Sequence, residues 1–311
     1  MRTAVQRHGA LALSAVLLLG LLTGCTGHSG EKSWSDLTPQ STTELKYAKQ
    51  FKIEDCGDGL RRITIAQDRQ YLLVQEGAQI PDGVPEEVTV LQQPIQNIYL
   101  TATASMDLFR ALDGLDVIRL SGTKESGWYL PEAQQAMEAG DILYAGKYNA
   151  PDYELILAQK CGLAVESTMI YHNPEVKEQL ESLGIPVLVD YSSYESDPLG
   201  RMEWIKLYGA LLGKEEEAAR IFDEEVAAVQ PVLNQANTGK TVAFFYITNT
   251  GMVNVRKSGD YLAQLIRMAG GVYVPENQSD GEENALSTMN IDMESFYAAA
   301  HDADVLIYNS T

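Results

Sequence analysis

Between residues 51 and 90, hydrophobic and polar residues alternate in short stretches that are separated by turn signals. Residues 63–65 and 71–74 are two such stretches, and Pro81-Asp-Gly83 is a turn sequence that follows them. A period of two is the spacing of a half-buried strand. The pattern therefore predicts a small antiparallel β prelude over residues 51–93.

From about residue 94 the pattern changes to alternating strands and helices. Pro174 suits a first helical turn, and Gly184 suits the end of the same helix. Alternation at this spacing predicts a parallel sheet covered by helices. The predicted strands are 97–101, 117–120, 163–166 and 187–189, and the predicted helices are 106–112, 153–159 and 174–183.

A helical pattern then runs from residue 199 to residue 233, weakened by Gly209 and Gly213. A helix of that length would span about 45 Å, which is enough to connect two lobes. After it the alternation resumes with strands 242–248 and 305–308 and helices 261–269 and 293–300.

Two short motifs recur in the same order in the two halves of the chain. Asp152-Tyr-Glu154 precedes a strand, as Asp292-Met-Glu294 does 140 residues later. Residues 108–114 likewise match residues 265–271. The repetition favours a duplicated lobe over chance similarity.

The N-terminus has the features of an export signal. Arg2 and Arg7 precede an apolar run over residues 10–22 that is too short to span a membrane stably. The run ends on Leu-Thr-Gly-Cys25, which resembles a bacterial lipobox and implies lipidation of Cys25; the alternative is an ordinary secretory signal. The Ser-, Thr- and Gly-rich segment after it predicts a flexible tether.

The chain of 311 residues has 23 basic and 43 acidic side chains, a formal net charge of -20. Nucleic-acid binding needs a basic surface, so that class is excluded. Three cysteines without a C-x-x-C pair do not indicate a zinc ribbon or a disulfide scaffold, and pairing of Cys56 with Cys161 stays open.

Residues 152–165 resemble a signature of ABC-importer substrate-binding lipoproteins, in the branch that binds vitamin B12, ferric siderophores and haem. Leu183-Gly-Ile-Pro-Val187, residues 207–214 and residues 268–271 match further family segments in the family's order. The usual Pro-Asp of the signature is replaced by Cys161-Gly162. The resemblance covers roughly Pro94 to Thr311.

The resemblance implies an α/β fold with two Rossmann-like lobes joined by one long α-helix, behind a small N-terminal β prelude. The chain ends directly after an apolar strand, so we expect an incomplete second lobe. The expected organisation is a signal peptide (1–24), a tether (25–50), the prelude (51–93), the first lobe (94–198), the inter-lobe helix (199–235) and the second lobe (236–311).

The resemblance also implies that Glu154 and Glu294, one on each lobe, dock against arginines of the membrane permease. The alternative is that both are solvated carboxylates in a first helical turn, where the helix dipole favours them.

Aromatic residues in predicted loops near strand ends are the candidate ligand contacts, because ligands of open α/β sheets sit beyond the carboxyl ends of the strands. Only two histidines, His172 and His301, lie beyond residue 50, which argues against a site for bare metal. The predicted ligand-binding residues are Trp128, Tyr148, Tyr171, His172 and Arg256, followed by Tyr129 and Tyr261.

The sequence therefore predicts a protein without enzymatic activity that is lipid-anchored on the outer face of the cell membrane. It would capture an iron chelate, such as a ferric siderophore, and as a monomer deliver it to an ABC permease and its ATPase. No cofactor is expected apart from this cargo. Haem or cobalamin is the alternative cargo, and a non-transport ligand sensor or an exported hydrolase is the alternative of a different class.

Overall fold

The computed structural model describes residues 33–276 and 288–309. Contacts divide them into two units. The smaller contains residues 33–37 and 81–84, in which Trp34–Asp36 forms one 3-10 turn and the Trp34 N–H donates to the Asp82 carbonyl oxygen at 2.8 Å. The larger contains all other described residues. Cys25 lies outside the described residues, and no described helix has the length and hydropathy of a membrane span.

The N-terminal sheet has five strands in the order β1-β2-β3-β4-β5. Neighbouring strands are antiparallel except β4 and β5, which run parallel. The expected prelude over 51–93 thus begins earlier, at Ser41, and ends on a parallel pair. Its strands are β1 (Ser41–Thr42), β2 (Phe51–Asp55), β3 (Leu60–Ile65), β4 (Arg69–Val74) and β5 (Thr89–Gln92).

This sheet shares a hydrophobic core with the first lobe. Ile63 and Leu73 belong to the same buried cluster as Trp204 and Tyr208, which come from the segment that connects the lobes. The edge of the Phe51 ring meets the Trp204 ring with their centroids 5.0 Å apart. The prelude is therefore part of the first lobe's folding unit.

Two buried carboxylates fix the loop that leads into β2. Glu203 accepts hydrogen bonds from the backbone N–H groups of residues 46–48 at 2.8–3.0 Å. Glu195 accepts from the N–H groups of residues 49 and 50 and from the indole Nε1 of Trp204. We call Glu195 and Glu203 the carboxylate clamp. Residues 41–50, which the sequence places in a flexible tether, are thus held by a strand pair and by this clamp.

The first lobe is built on a five-stranded parallel sheet in the order β12-β11-β6-β7-β8. The order is not sequential, so loops that are distant along the chain become neighbours at one edge of the sheet. The strands are β6 (Ile98–Leu100), β7 (Ile118–Ser121), β8 (Leu143–Tyr144), β11 (Ala164–Ser167) and β12 (Val187–Asp190); β9 (Gly146–Lys147) and β10 (Ala150–Pro151) form a separate antiparallel pair.

Helices cover both faces of this sheet, as the strand–helix alternation predicts. Phe109 of α1 and Ala133 of α2 pack in the cluster on one face, and Ile156 of α3 and Leu180 of α4 pack in the cluster on the other. The sequence analysis did not predict α2 or β8. The helices are α1 (Met106–Ala111), α2 (Pro131–Ala139), α3 (Tyr153–Ala158) and α4 (Pro174–Ser182).

The connector between the lobes consists of three helices where the sequence predicts one: α5 (Pro198–Glu203), α6 (Ile205–Leu212) and α7 (Glu215–Leu233). Gly213 ends α6 in the left-handed conformation at a φ of 69°. Gly209 allows α7 to approach α6, since a Cβ built on it would lie 2.5 Å from the Ala218 Cβ. The longest of the three, α7, has 19 residues and spans about 28 Å instead of the expected 45 Å.

The second lobe has a mixed sheet in the order β15-β13-β14-β16, with β17 paired in parallel to β13. All four residues of β17 are exposed, by 40–58% of their surface. The expected incompleteness of this lobe stays a prediction. Its elements are β13 (Thr241–Ile247), β14 (Val253–Arg256), α8 (Tyr261–Met268), β15 (Val272–Val274), β16 (Thr288–Ile291), α9 (Met293–Ala300) and β17 (Val305–Tyr308).

Both sequence repeats have matching local geometry. The Asp152 carboxylate accepts from the Leu155 N–H at 3.0 Å and caps α3, and the Asp292 carboxylate accepts from the Ser295 N–H at 2.7 Å and caps α9. At the ends of α1 and α8, the N–H groups of Gly114 and Gly271 each donate at 2.9 Å to the carbonyl oxygen five residues earlier. The repeats therefore mark equivalent turns in the two lobes.

Candidate functional site

The carboxyl ends of the parallel strands bring together the loops that carry most of the predicted ligand contacts. Trp128 and Tyr129 follow β7, Tyr148 follows β8, and Tyr171 and His172 follow β11. Because all five strands point the same way, these loops lie at one edge of the sheet. The structure thus places the five residues at the edge where a ligand of such a fold would bind.

Two adjoining cavities open at this edge and share Thr103 and Gly127 in their walls. The hydroxyl cavity, of about 400 Å³, has hydroxyl and lysine side chains in its wall; the tryptophan cavity, of about 430 Å³, is bounded by Met106, Asp107, Trp128, Tyr129 and Leu130. The wall of the hydroxyl cavity also contains Thr101, Thr123, Lys124, Ser126, Tyr144, Lys147 and Tyr148.

Trp128 and Tyr129 contribute differently to the tryptophan cavity. Trp128 is only 6% exposed and packs in the first lobe's core, whereas Tyr129 is fully exposed. The buried Nε1 of Trp128 has no hydrogen-bond partner within the described part of the chain. Of the two, Tyr129 offers the open ring face, and Trp128 forms part of the wall.

Tyr171 is separated from these cavities by its packing. Its ring lies under the Arg69 guanidinium, whose Cζ is 4.8 Å from the ring centroid, and Arg69 also covers Tyr191 at 5.0 Å. Burial raises the pKa of both phenols. His172, the next residue, is exposed. Tyr171 therefore joins the N-terminal sheet to the first lobe, in a loop that follows β11 and is separated by β6 from the loop of Trp128 after β7.

In the second lobe, Arg256 and Tyr261 belong to a polar cluster with Asp260 and with Arg201 of the connector. The Arg256 guanidinium is 3.7 Å from the buried Asp260 carboxylate, and Arg201 of α5 stacks on the Tyr261 ring at 3.7 Å. Arg201 also donates to the Ser193 carbonyl oxygen at 2.6 Å. Burial lowers the pKa of Arg201 and raises that of Asp260. Tyr261 thus contacts the connector through Arg201.

Glu154 and Glu294 are both exposed in the first turns of α3 and α9. Each follows its capping aspartate by two positions, so the two glutamates have equivalent places in the two lobes. The structure leaves both side chains accessible to a partner.

Sequence reasoning missed Lys124, Lys147 and the buried Glu166. Glu166 has no exposed surface; one oxygen, Oε2, accepts a hydrogen bond from the Thr101 hydroxyl. The other, Oε1, is buried without a hydrogen-bond partner among the residues described. Burial raises the pKa of Glu166 to about 7, and the Thr101 hydrogen bond opposes that shift. The signal was a single acidic residue inside a predicted apolar strand.

Neither a metal cluster nor a disulfide occurs in the described ranges. No group of three or more His, Cys, Asp or Glu side chains is arranged to hold a metal ion there. Cys56 and Cys161 are both free thiols. Burial raises the pKa of Cys161 to about 11.

Solved structures similar to this chain are two-lobed binding proteins. The periplasmic haem-binding protein HutB of Vibrio cholerae superposes with a TM-score of 0.55 at 18% identity, over 68% of this chain and 76% of that one. An ABC transporter substrate-binding protein of Listeria monocytogenes superposes with a TM-score of 0.52 at 18% identity, over 69% and 75%. The chain has the fold of the ABC-importer substrate-binding proteins. The resemblance inferred from the sequence is confirmed at this level.

Further comparisons add one structure and one curated relative. An ABC-type Fe³⁺-hydroxamate transport system of Saccharomonospora viridis superposes with a TM-score of 0.50 at 22% identity, over 69% of this chain and 74% of that one. An uncharacterized lipoprotein of Methanocaldococcus jannaschii is 26% identical over 79% of this chain. The chain spans 61% of the length of that relative. No protein-family model matches the chain.

Proposed function

We propose that the protein is a lipid-anchored, extracytoplasmic substrate-binding protein that captures an iron chelate and delivers it to an ABC permease. The observation that carries the proposal is the pair of cavities at the carboxyl edge of the first lobe's sheet, in a fold shared with substrate-binding transport proteins. Two of the similar proteins have names that state a ligand class: one binds haem, and the other belongs to Fe³⁺-hydroxamate transport. The name of the curated relative, a lipoprotein, supports the anchor at Cys25.

The binding step involves no bond chemistry. Tyr129 and Tyr148 would contact apolar and aromatic parts of the chelate, because a ring face and a phenol hydroxyl together suit a partly apolar ligand. Arg256 would approach an anionic part of the chelate from the second lobe. Trp128 would shape the cavity from within the core, and Tyr171, His172 and Tyr261 would act around the rim.

Delivery would depend on Glu154 and Glu294. Equivalent exposed carboxylates on two lobes can meet matching cationic sites on a symmetric partner, and charge pairs of this kind mainly guide and orient the encounter. The helix α7 would limit how far the lobes move, because a helix is a stiff connector.

The test is a titration panel of haem, cyanocobalamin, a ferric catecholate and a ferric hydroxamate, followed by intrinsic tryptophan fluorescence. We expect one of the two ferric complexes to bind with a dissociation constant of about 1 μM or less, near -8 kcal/mol. A Trp128→Phe variant should lose most of the quenching, since neither of the other two tryptophans, Trp34 and Trp204, is in the wall of either cavity.

If only haem or only cyanocobalamin binds, the iron chelate is the wrong cargo and the alternative cargo is the right one. If no member of the panel binds, the proposal of a substrate-binding role in iron uptake fails. A Tyr297→Phe variant serves as a matched control, because Tyr297 is an exposed aromatic residue of α9 outside both cavities.

A further inference from the structure

The hydroxyl cavity carries positive charge in a protein whose formal net charge is -20. Lys124 and Lys147 stand in its wall, and the Lys124 Nζ lies 5.5 Å from the centroid of the Tyr144 ring. No carboxylate side chain is among its described lining residues, and the other polar side chains there are hydroxyls. Such a wall suits a ligand with negative charge and hydrogen-bond acceptors.

The Glu166 carboxyl lies behind this wall. Thr101, which lines the cavity, connects the two because its Oγ1 is hydrogen-bonded to Glu166 Oε2 and is 3.4 Å from the Val165 carbonyl oxygen. Glu166 forms no ion pair with any described residue, and its Oε1 is an unpartnered oxygen with no access to solvent. A buried carboxylate of this kind is costly when charged, so its proton stays on up to a higher pH.

The Thr101 hydroxyl has one hydrogen, and the protonation state of Glu166 decides where that hydrogen is available. When Glu166 is ionised, Thr101 donates to the carboxylate and presents only lone pairs to the cavity. When Glu166 is protonated, the acid donates to Thr101 Oγ1, and the Thr101 hydrogen is free to point to Val165 or to a ligand.

We propose that the hydroxyl cavity binds the anionic end of the transported chelate, and that protonated Glu166, acting through Thr101, makes the cavity a donor to that anion. The inference rests on the proposed function and narrows its ligand to a negatively charged complex. The anion binds the form of the protein in which Glu166 is protonated. Where Glu166 is ionised in the free protein, binding of the anion is therefore accompanied by binding of a proton to Glu166.

Several other titratable groups surround Glu166. Burial raises the pKa of Tyr99, Tyr153 and Cys161, and the nearby Glu166 charge raises each further. The Asp190 carboxylate of β12 is directed away, to Ser105 and Tyr208. The remaining facing groups are Tyr144 of β8, Glu175 of α4 beyond Tyr153, and the two cavity lysines.

The test compares two inert chromium(III) complexes of similar shape by calorimetry. Tris(oxalato)chromium(III) is a trianion, and tris(acetylacetonato)chromium(III) is neutral; neither changes charge near neutral pH. We expect the trianion to bind more tightly than the neutral complex. Its affinity should fall about tenfold between about pH 6 and about pH 8, which is the largest change that binding linked to one proton with a pKa near 7 can give. In two buffers of different ionisation enthalpy, binding at about pH 8 should take up about one proton.

Variants separate the parts of the proposal. Glu166→Gln, which is always neutral, should bind the trianion at both pH values as tightly as the unmodified protein does at low pH. Thr101→Val should weaken binding at low pH and remove the pH dependence. Lys124→Gln and Lys147→Gln should each weaken binding about two- to fivefold at both pH values, and the exposed Lys160→Gln, outside the cavity, should change nothing.

The proposal is overturned if Glu166→Gln, shown by thermal melting to be folded, keeps the original pH dependence, or if Thr101→Val does. It is also overturned if the neutral complex binds as well as the trianion, or if neither complex binds. If a panel ligand binds and the trianion does not, the proposed anion subsite is refuted and the proposed function stands. If the trianion binds and no panel ligand does, the proposed iron-chelate cargo is refuted and the anion subsite stands.

Discussion

At the scale of the residue, burial and the surrounding hydrogen-bond donors together decide which protonation state of a carboxyl group the folded protein favours. Glu166 has one hydrogen bond from Thr101 and no exposed surface, so the folded state favours the neutral acid. Glu203 is also fully buried, yet its pKa is lowered: burial raises it, but the hydrogen bonds from Ala48 and its neighbours and from Lys206 outweigh burial. The number of donors around a buried carboxyl sets the direction of its shift.

We predict that Glu166→Gln changes how stability depends on pH. A carboxyl whose folded-state pKa is raised to about 7 contributes fully below its unfolded value near 4.5, and the contribution is lost as pH rises through 7. The loss is on the order of 3 kcal/mol at high pH. Urea unfolding at about pH 5 and about pH 8 should show this loss in the unmodified protein and not in the variant.

The matched control is Glu154→Gln, which changes an exposed carboxylate and should leave the difference between the two pH values as it was. Equal pH dependence in the unmodified protein and in Glu166→Gln would show that Glu166 is ionised in the folded state.

At the scale of the element, the carboxylate clamp joins an isolated loop to a helix. Five consecutive backbone N–H groups, of residues 46–50, would otherwise have no partner in a helix or sheet, and Glu195 and Glu203 accept from all of them. Because Glu203 belongs to α5, the clamp fixes the N-terminal sheet against the connector.

We predict that Glu203→Gln destabilises the protein by about 3 kcal/mol, because a carboxamide offers one acceptor oxygen, so that backbone N–H groups lose their acceptor and Lys206 loses its ion-pair partner. The lowered pKa of Glu203 means that its contribution is present above its unfolded value near 4.5 and is lost as pH falls through the lower folded value. Thermal unfolding should therefore show a smaller gap between the two proteins in acid than at neutral pH.

Glu217→Gln is the control for this measurement. Glu217 is a partly exposed residue of α7, and its Oε1 lies 3.9 Å from Nη2 of Arg220. A loss of stability equal to that of Glu203→Gln would attribute the effect to general charge removal and contradict the clamp.

The sequence predicted the elements with strong periodicity closely. The predicted helix over 293–300 and strand over 305–308 have the observed bounds, because an apolar run between turn residues leaves little choice. Elements of mixed character were missed: α2 is rich in Gln, Glu and Ala, and β14 has only four residues, of which Asn254 and Arg256 are polar. In the connector, the break at Gly213 falls where the sequence analysis expects a weak point, whereas the break at Trp204 was not predicted because helical spacing continues through it.

The sequence predicted at which edge of the sheet the site residues lie, but not which of them are neighbours. Aromatic residues after strands could be assigned to the carboxyl edge from their positions alone. Which loops adjoin depends on the strand order β12-β11-β6-β7-β8, which is not the chain order. Thr101 and Glu166 meet only because β6 pairs with β11, and Trp128 and Tyr171 separate because their strands are not neighbours.

At the scale of the whole molecule, the two lobes share two local features: equivalent turns at helix ends, and one exposed glutamate at an equivalent position in each lobe. Glu154 and Glu294 follow aspartate caps that each accept a hydrogen bond from the N–H three residues later, on helices that lead into strands β11 and β17. A partner that contacts both lobes would meet the same local surface twice.

We predict that the double variant Glu154→Lys, Glu294→Lys loses more than about 90% of permease-dependent uptake, while its ligand affinity stays within about twofold. The measurement is uptake of the ferric complex identified by the panel in cells carrying the cognate permease, beside a binding titration of the purified protein. Glu178→Lys with Glu225→Lys, two exposed helical glutamates at other places, is the control of equal charge change. Loss of ligand affinity in the first variant would refute the docking role.

The carboxylate clamp also determines how a mechanical load would enter the protein. If Cys25 carries a lipid, a pull from the membrane would first load the pairing of β1 with β2 and then, at residues 46–50, the hydrogen bonds to Glu195 and Glu203, which pass it to α5 and to the core around Trp204. The second lobe lies beyond the connector and carries none of that tension. The anchor would thus restrain the first lobe directly, and the second lobe only through the connector.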